Sequence, residues 1–292
     1  MYDERVIVRP PSEANNLLLP VTFGCSHNDC TFCGTYTGIP FRIRRAEEVK
    51  RDIDDIAKDY SFSVSRVFLE NGDALIAPQD ILVEVLQHLK KSFPRLERVG
   101  TYASPQSALI KSVEQLRELN RLGLKIAYLG VETGDEELLK KINKGATYEQ
   151  MVEAGRKIKQ AGITLSVTVI LGLGGPEGSR RHALGTARIL SDIDPDFAGT
   201  LTLMLVPGTP LYRDWEAGRF RLISPFQSLE ELKLIIENAS FTKCFFTANH
   251  ASNYLPIKVW LPQQKAEIVN LINDVLASGD VSRLRPEFIR AL

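Results

Sequence analysis

The sequence predicts an α/β fold, a (β/α)6 partial TIM barrel with a C-terminal strand–helix extension. From residue 17 onward, short apolar runs alternate with amphipathic stretches, and six such pairs fit before residue 240. This strict alternation indicates parallel strands joined by helical crossovers. A closed eight-stranded barrel, which needs about 250 residues, is the nearest alternative.

The elements follow one another in a regular order along the chain. The strand candidates are the apolar runs at 17–23, 65–70, 97–102, 125–131, 164–171 and 197–206. The helix candidates are the stretches at 45–60, 78–93, 110–122, 135–142 with 148–161, 179–192 and 226–239. Gly123 and Gly162 stop helices immediately before strands. A strand at 243–248 and a helix at 262–277 form the extension.

Composition indicates an ordinary globular protein. The chain has 292 residues, of which 44% are hydrophobic and 25% charged, so it has ample material for a core. Its 36 basic and 36 acidic residues cancel, which argues against a broad nucleic-acid surface. No apolar run approaches the ~20 residues of a membrane span. We expect a cytoplasmic protein with a single domain over residues 1–292, its core at roughly 15–215 and its extension at roughly 216–292.

Three of the four cysteines, Cys25, Cys30 and Cys33, fall within nine positions, directly after the first predicted strand. Three thiolates on one loop are suited to a soft metal. An iron–sulfur cube needs one ligand for each of its four irons, so this loop would leave one iron open to a substrate or cofactor. The spacing therefore predicts a reactive metal centre and not a purely structural one.

Other arrangements of the cysteine loop stay open at this point. One is structural zinc held by the three cysteines and His27, although zinc motifs usually come as two separated halves. His27 is otherwise a loop-shaping residue. Disulfides are disfavoured because the cysteines are few and clustered, and because no signal peptide precedes them. Cys244 lies in a distant apolar run, and we expect it to be a buried hydrophobic residue.

Glycines and polar residues stand where the other predicted strands end, which is where a parallel barrel collects its reactive groups. They are Asn71, Gly72 and Asp73 after the second strand, Ser104 after the third, Glu132 and Lys144 after the fourth, and Gly172, Leu173 and Gly174 after the fifth. The Asn-Gly-Asp run also fits an ordinary turn, and Glu132 is alternatively a helix cap. We expect His88 and His182, both on predicted helices, to face solvent.

Together the loop and the strand ends resemble the radical S-adenosylmethionine (radical SAM) enzymes, in pattern the oxygen-independent coproporphyrinogen oxidase-like branch. The resemblance covers roughly residues 15–215. Most members space the cysteines C-x3-C-x2-C, and this chain has C-x4-C-x2-C. Phe32 matches the aromatic residue before the last cysteine. The resemblance implies a [4Fe–4S] cluster on Cys25, Cys30 and Cys33, with SAM bound at the open iron.

The resemblance also implies what the strand-end residues do. The backbone of Asn71, Gly72 and Asp73 would meet the methionine amine of SAM. Independently of the resemblance, the polar strand end that carries Ser104 is suited to border a ribose or the substrate. Glu132 would accept the ribose hydroxyls, Lys144 would pair with the SAM carboxylate, and Gly172, Leu173 and Gly174 would lie along the adenine. The reduced cluster would cleave SAM, and a 5′-deoxyadenosyl radical would abstract hydrogen from an unidentified substrate, a small molecule or one of unknown kind. A one-electron donor such as flavodoxin or ferredoxin is implied, as is sensitivity to oxygen.

A polar run after the last predicted strand supplies further candidates. His250, Asn253 and Tyr254 are placed to line the mouth of the barrel as catalytic or substrate-contacting residues. A turn that closes the barrel is the alternative interpretation of this segment.

Two other functions stay open. A porphyrinogen decarboxylase must hold several propionates, and the N-terminal set of Tyr36, Arg42, Arg44 and Arg45 is thin for that task. A non-catalytic iron–sulfur or zinc-binding protein would not need the polar residues at the other strand ends.

Overall fold

The computed structural model describes residues 8–291. Its strands are β1 (Leu17–Pro20), β2 (Thr22–Phe23), β3 (Arg42–Ile43), β4 (Arg66–Glu70), β5 (Arg98–Ala103), β6 (Leu124–Glu132), β7 (Thr164–Leu171), β8 (Phe197–Thr202), β9 (Cys244–Thr247) and β10 (Lys258–Leu261). Its α-helices are α1 (Ala46–Tyr60), α2 (Gln79–Ser92), α3 (Pro105–Ile110), α4 (Val113–Arg121), α5 (Glu136–Lys141), α6 (Tyr148–Gln160), α7 (Gly175–Ile193), α8 (Pro210–Glu216), α9 (Pro225–Asn238) and α10 (Lys265–Ser278). Strands and helices alternate from β4 to β8, as the sequence predicts.

The residues group into two compact units. The first comprises the described residues up to Asn28, together with Thr35–Leu129 and Glu153–Leu165. The second comprises Asp29–Gly34, Gly130–Val152 and the described residues from Ser166 onward. The single domain expected from the sequence stays a prediction.

In the first unit, β1, β4, β5 and β6 lie side by side as parallel strands. Phe68 of β4 stands in register with Leu18 of β1 and Gly100 of β5. The predicted strand at 17–23 is divided, because Pro20 has no N–H to continue the ladder. Its second part, β2, pairs antiparallel with β3. A 3-10 turn at Pro11–Glu13 precedes β1.

In the second unit, β7, β8 and β9 are parallel, and β10 runs antiparallel to β9. Buried and half-buried residues alternate along β7, so one side of the strand carries Leu165, Val167, Val169 and Leu171. The predicted extension strand thus joins the parallel set, while β10 is an element that the sequence did not predict. The chain has the expected α/β fold with mostly parallel strands.

The helix predicted at 110–122 is α4, which begins at Val113, and the short helix α3 before it was not predicted. Lys111 is extended, and Ser112 caps α4 by accepting a hydrogen bond of 3.1 Å from the Gln115 amide. The helix predicted to begin at residue 179 begins instead at Gly175, directly on the glycine turn. Within residues 8–291, none of the helices has the length and apolar character that crossing a membrane requires.

Candidate functional site

The first part of the cysteine loop lies against the turn that follows β4. The Gly72 amide donates to the Gly24 carbonyl at 3.0 Å. A Cβ atom on residue 72 would lie 2.6 Å from that of Cys25, so only glycine fits here without displacing the cysteine. Asn71, immediately before it, has a φ of 73°. Cys25 and Gly72, predicted separately as site residues, are therefore in contact within the first unit.

Asp73 fastens this loop to the end of β5. Its buried carboxylate accepts hydrogen bonds from the Ser26 hydroxyl at 2.6 Å and from the Ser104 hydroxyl at 2.6 Å. The Ser104 amide donates to the same carboxylate at 3.1 Å. Burial raises the pKa of Asp73, while the serine hydrogen bonds oppose the rise. Asp73 thus binds both Ser104, the other residue predicted to face the cofactor, and Ser26, the residue after Cys25.

The second part of the loop is held through the backbone of Thr31, between Cys30 and Cys33. The Thr31 amide donates to the Ile142 carbonyl at 2.9 Å, and the Leu211 amide donates to the Thr31 carbonyl at 2.9 Å. Phe32 packs against an apolar cluster of the second unit. The buried members of this cluster are Leu138, Ile142, Leu173, Leu203, Leu211 and Phe220. Phe32 and Leu173, predicted separately as cofactor residues, therefore border the same cluster.

The thiols themselves are accessible. Cys25 and Cys30 are half-buried, Cys33 is exposed, and none of them forms a disulfide. Within the described residues, no three His, Cys, Asp or Glu side chains are arranged to hold a metal ion. The fit to an iron–sulfur cluster therefore depends on the donor chemistry of three thiols that lie close together in the sequence. Cys244 is buried at the start of β9, as expected, and His27 is half-buried.

Glu132 and Lys144 meet in the second unit. The Lys144 ammonium donates to Glu132 Oε1 at 2.9 Å, and the two side chains are 12% and 11% exposed. Glu132 ends β6 with a φ of 64°. A side chain on Gly130 would overlap the Glu132 carboxylate. The cap of helix α5 is Asp135, so Glu132 is not the helix cap that was the alternative.

The glycine turn after β7 donates a backbone hydrogen bond to a buried carboxylate. Gly172 and Gly175 have φ values of 85° and 64°, and the Gly175 amide donates to the Gly172 carbonyl at 3.0 Å. The Gly172 amide donates to Glu231 Oε2 of α9 at 2.7 Å. Glu231 was not among the predicted site residues, because two consecutive glutamates in a helix are typical of a face exposed to solvent.

His182 is fully buried, which corrects the expectation that it faces solvent. Its Nε2 donates to the Ile170 carbonyl at 3.0 Å, and its Nδ1 accepts from the Thr133 hydroxyl at 2.8 Å. It thus joins the residue after Glu132 to the strand that carries the glycine turn. Its Nε2 also lies 3.7 Å from Glu231 Oε2. His88 is half-buried and pairs with Asp54 at 2.6 Å.

Burial sets the protonation of this pair. It lowers the pKa of His182 to about 4 and raises the pKa of Glu231 to about 7. His182 is therefore neutral near pH 7, which agrees with one nitrogen donating and the other accepting.

The predicted residues after β9 lie at the end of β8. Asn253 is buried, donates to the Thr200 carbonyl at 2.7 Å and accepts from the Thr202 hydroxyl at 2.9 Å. His250 Nδ1 lies 2.9 Å from the Ser252 hydroxyl. Burial, and secondarily the positive charge of Arg285, lowers the pKa of His250.

Tyr254 connects this segment to the C-terminal residues. Its hydroxyl donates to Glu287 at 2.9 Å, and the Arg290 guanidinium stands 4.1 Å from the ring centre. Burial raises the pKa of Tyr254 to about 12. The Arg285 guanidinium donates to the carbonyls of His250 and Asn253 at 2.7 and 2.9 Å.

Comparison with known sequences points to one family. The sequence model of the radical SAM superfamily matches residues 19–187, more than half of the chain. The chain is 26% identical over 209 residues to the protein YtqA of Bacillus subtilis (strain 168), covering 68% of this chain and 62% of that protein. It is 24% identical over 197 residues to a tRNA-2-methylthio-N(6)-dimethylallyladenosine synthase of Clostridium tetani, covering 66% of this chain and 43% of that protein.

Comparison with solved structures agrees on the fold. Coproporphyrinogen III oxidase (HemN) from Escherichia coli superposes with a TM-score of 0.59 at 17% identity, covering 76% of this chain and 51% of that one.

Proposed function

Because the chain belongs to the radical SAM superfamily, whose enzymes use a [4Fe–4S] cluster and SAM, we propose that it cleaves SAM reductively and removes a hydrogen atom from a substrate. Cys25, Cys30 and Cys33 are the proposed cluster ligands. The cysteine loop carries the proposal, since its first cysteine lies against a residue that must be glycine and its last two flank the anchored Thr31. When bound, the cluster supplies the electron that breaks a carbon–sulfur bond of SAM.

The chain's own residues bind and orient SAM in this proposal. Glu132 presents a carboxylate that accepts ribose hydroxyls, and Lys144 presents an ammonium for the SAM carboxylate. The two groups pair at 2.9 Å in a largely buried setting, so each compensates the charge of the other. The turn at Gly172 lets the backbone lie directly against the adenine, because glycine has no side chain to keep it away. The apolar cluster beneath Phe32 excludes water from this side of the site.

The contacts of the basic residues favour a substrate other than a porphyrinogen. Arg44 is buried, pairs with Asp52 at 2.5 Å and donates to the Pro20 carbonyl at 2.8 Å. Arg42 and Arg45 stand 3.4 and 3.7 Å from the Glu48 carboxylate. Arg44 in particular already binds protein groups, so these basic residues are poorly suited to bind several propionate groups.

Anaerobic reconstitution tests the proposal. The wild-type protein should hold about four irons per chain and, with dithionite and SAM, should release 5′-deoxyadenosine and methionine. Cys25→Ala, Cys30→Ala and Cys33→Ala should each lose the cluster, because three thiolates are needed to hold it. Cys244→Ala is the matched control and should keep its iron, since this thiol is buried in β9. Full iron content in Cys30→Ala, or an intact cluster without SAM cleavage, would contradict the proposal.

A further inference from the structure

Glu70 differs from the other buried carboxyl groups of the first unit. Glu13 pairs with Arg98 at 2.7 Å and accepts from the Tyr128 hydroxyl. Asp73 accepts from two serine hydroxyls, as described above. Glu70 is only 9% exposed, and its buried Oε2 has no hydrogen-bond partner within the described chain. A buried carboxylate without a partner is costly, so this group is a candidate for a contact supplied by a ligand.

The side chain of Glu70 belongs to an aromatic face of the sheet. Residues two apart in a strand point to the same side, so Glu70 shares the face of Phe68. Phe68 packs edge-on against Tyr102 and Tyr128, with ring centres 5.0 and 5.8 Å away. This cluster contains no residue from a described helix, so its face is distinct from the one that the helices cover.

Glu70 also stands next to the cysteine loop. It ends β4, and only Asn71 separates it from Gly72, which lies against Cys25. A ligand group held by Glu70 would therefore sit close to the proposed cluster, where a substrate must place its reacting carbon.

A positively charged ligand would offset the cost of burying Glu70 in its ionised form. Burial raises the pKa of Glu70, and the positive charge of the exposed Arg9 offsets part of that rise. Glu70 Oε2 accepts no hydrogen bond from Arg9 or from any other residue within 8–291. A cation bound at Oε2 would supply the missing partner, and the faces of Tyr102 and Tyr128 attract cations as well.

We propose that Glu70 binds a cationic nitrogen, an ammonium or a guanidinium, of the substrate, with the rings of Tyr102 and Tyr128 beside it. The inference rests on the proposed function, because it needs a substrate close to SAM. The substrate is thus a small molecule that carries an amine or a guanidine.

The test uses the reconstituted enzyme with SAM, excess dithionite and perdeuterated probes. The probes are butylamine and butylguanidine, which are cations, with butyramide and butyrate as neutral and anionic counterparts. A bound probe loses one deuterium atom from carbon to the 5′ carbon of the adenosyl fragment. Dithionite supplies the electron, and water the proton, that restore the probe. The measured quantity is deuterium per molecule of 5′-deoxyadenosine formed, by mass spectrometry.

The two cations should transfer deuterium saturably, and butyramide and butyrate should transfer at least tenfold less. Glu70→Gln should lower transfer from the cations at least tenfold relative to the 5′-deoxyadenosine that the variant forms. Glu97→Gln is the matched control, because it neutralises an exposed carboxylate just before β5, and it should behave as wild type.

Three results would overturn the proposal while 5′-deoxyadenosine still forms. They are absence of transfer from both cations in the wild type, equal transfer from butyramide, and unchanged transfer in Glu70→Gln. A fourth is a rise in the KM for SAM in Glu70→Gln that equals the loss of transfer, since the bound cation would then be the SAM ammonium. Absence of 5′-deoxyadenosine in the wild type would instead contradict the proposed function itself.

Discussion

At the scale of single residues, the Glu132–Lys144 pair has two tasks. It neutralises two charges whose side chains are about nine-tenths buried, and in the proposed function it presents both charges to SAM. Removing one member leaves the other as an uncompensated buried charge, which is costlier than losing an exposed pair. The exposed Lys140–Glu137 pair of α5, at 3.0 Å, is a natural comparison because such pairs contribute little.

We expect Glu132→Gln and Lys144→Met each to weaken SAM binding by about 1–3 kcal/mol, the cost of losing a charged hydrogen bond. The double variant should lose less than the sum, since the two residues are in contact. Anaerobic calorimetry with reconstituted protein measures these affinities. Lys140→Met should bind SAM as wild type does, and wild-type affinity in Glu132→Gln would remove that residue from the SAM site.

At the scale of elements, two helices support two turns through buried side chains. His182 of α7 holds Thr133 and the Ile170 carbonyl, and Glu231 of α9 holds the Gly172 amide. The turn after β6 and the turn after β7 are therefore fastened to one buried pair. Burial lowers the pKa of His182 and raises that of Glu231. Each residue therefore makes the stability of the protein depend on pH, and the two dependences have opposite signs.

Between pH 4.5 and 7 the native state holds the Glu231 proton more tightly than the unfolded state, so this residue makes stability fall as pH rises. Between pH 4 and 6.5 the unfolded state holds the His182 proton more tightly, so this residue makes stability rise with pH. The two trends oppose each other in the wild type. Glu231→Gln removes the contribution of Glu231 and keeps that of His182. The free energy of unfolding of this variant, relative to that of the wild type, should therefore rise from pH 5 to 6.5.

Thermal unfolding followed by circular dichroism at several pH values measures this difference. Glu230→Gln is the control, because Glu230 is the exposed neighbour on α9. A pH profile of Glu231→Gln that coincides with the wild-type profile would show that Glu231 does not titrate as its burial indicates.

At the scale of the whole molecule, the C-terminal residues are fastened to the segment after β9 through Tyr254. Removing its hydroxyl breaks the bond to Glu287 and weakens the contact with Arg290. We expect Tyr254→Phe to lower stability by about 1 kcal/mol, the net value of such a hydrogen bond. That corresponds to a melting temperature lower by about 2 °C in a chain of this size.

Calorimetric melting of Tyr254→Phe beside Tyr60→Phe checks this prediction. Tyr60 is 57% exposed, so loss of its hydroxyl should leave the melting temperature unchanged. An unchanged melting temperature in Tyr254→Phe would contradict the structural role and favour the predicted role of Tyr254 in substrate contact.

Local patterns predicted the alternation of strands and helices well, because each element carries its own periodicity and its own stop signals. The start of α4 is also marked in the sequence, by the Ser112–Gln115 capping pattern, which the prediction of a helix from residue 110 did not use. His182 and Glu231 could not be found this way. Their neighbours Arg181 and Glu230 are exposed, and only the packing of α7 and α9 shows which side of each helix is covered. The unpartnered oxygen of Glu70 likewise exists only in three dimensions.

The left-handed backbone of Glu132, with its φ of 64°, has a bearing on how far this protein can be stabilised. A buried residue other than glycine in that conformation costs on the order of 1–3 kcal/mol, which a glycine would recover. In Glu132→Gly this gain would be opposed by the loss of the carboxylate, which would leave Lys144 as an uncompensated buried charge. Relieving the backbone strain would thus cost the ion pair and, in the proposed function, a contact with SAM, so engineering for heat resistance should begin elsewhere.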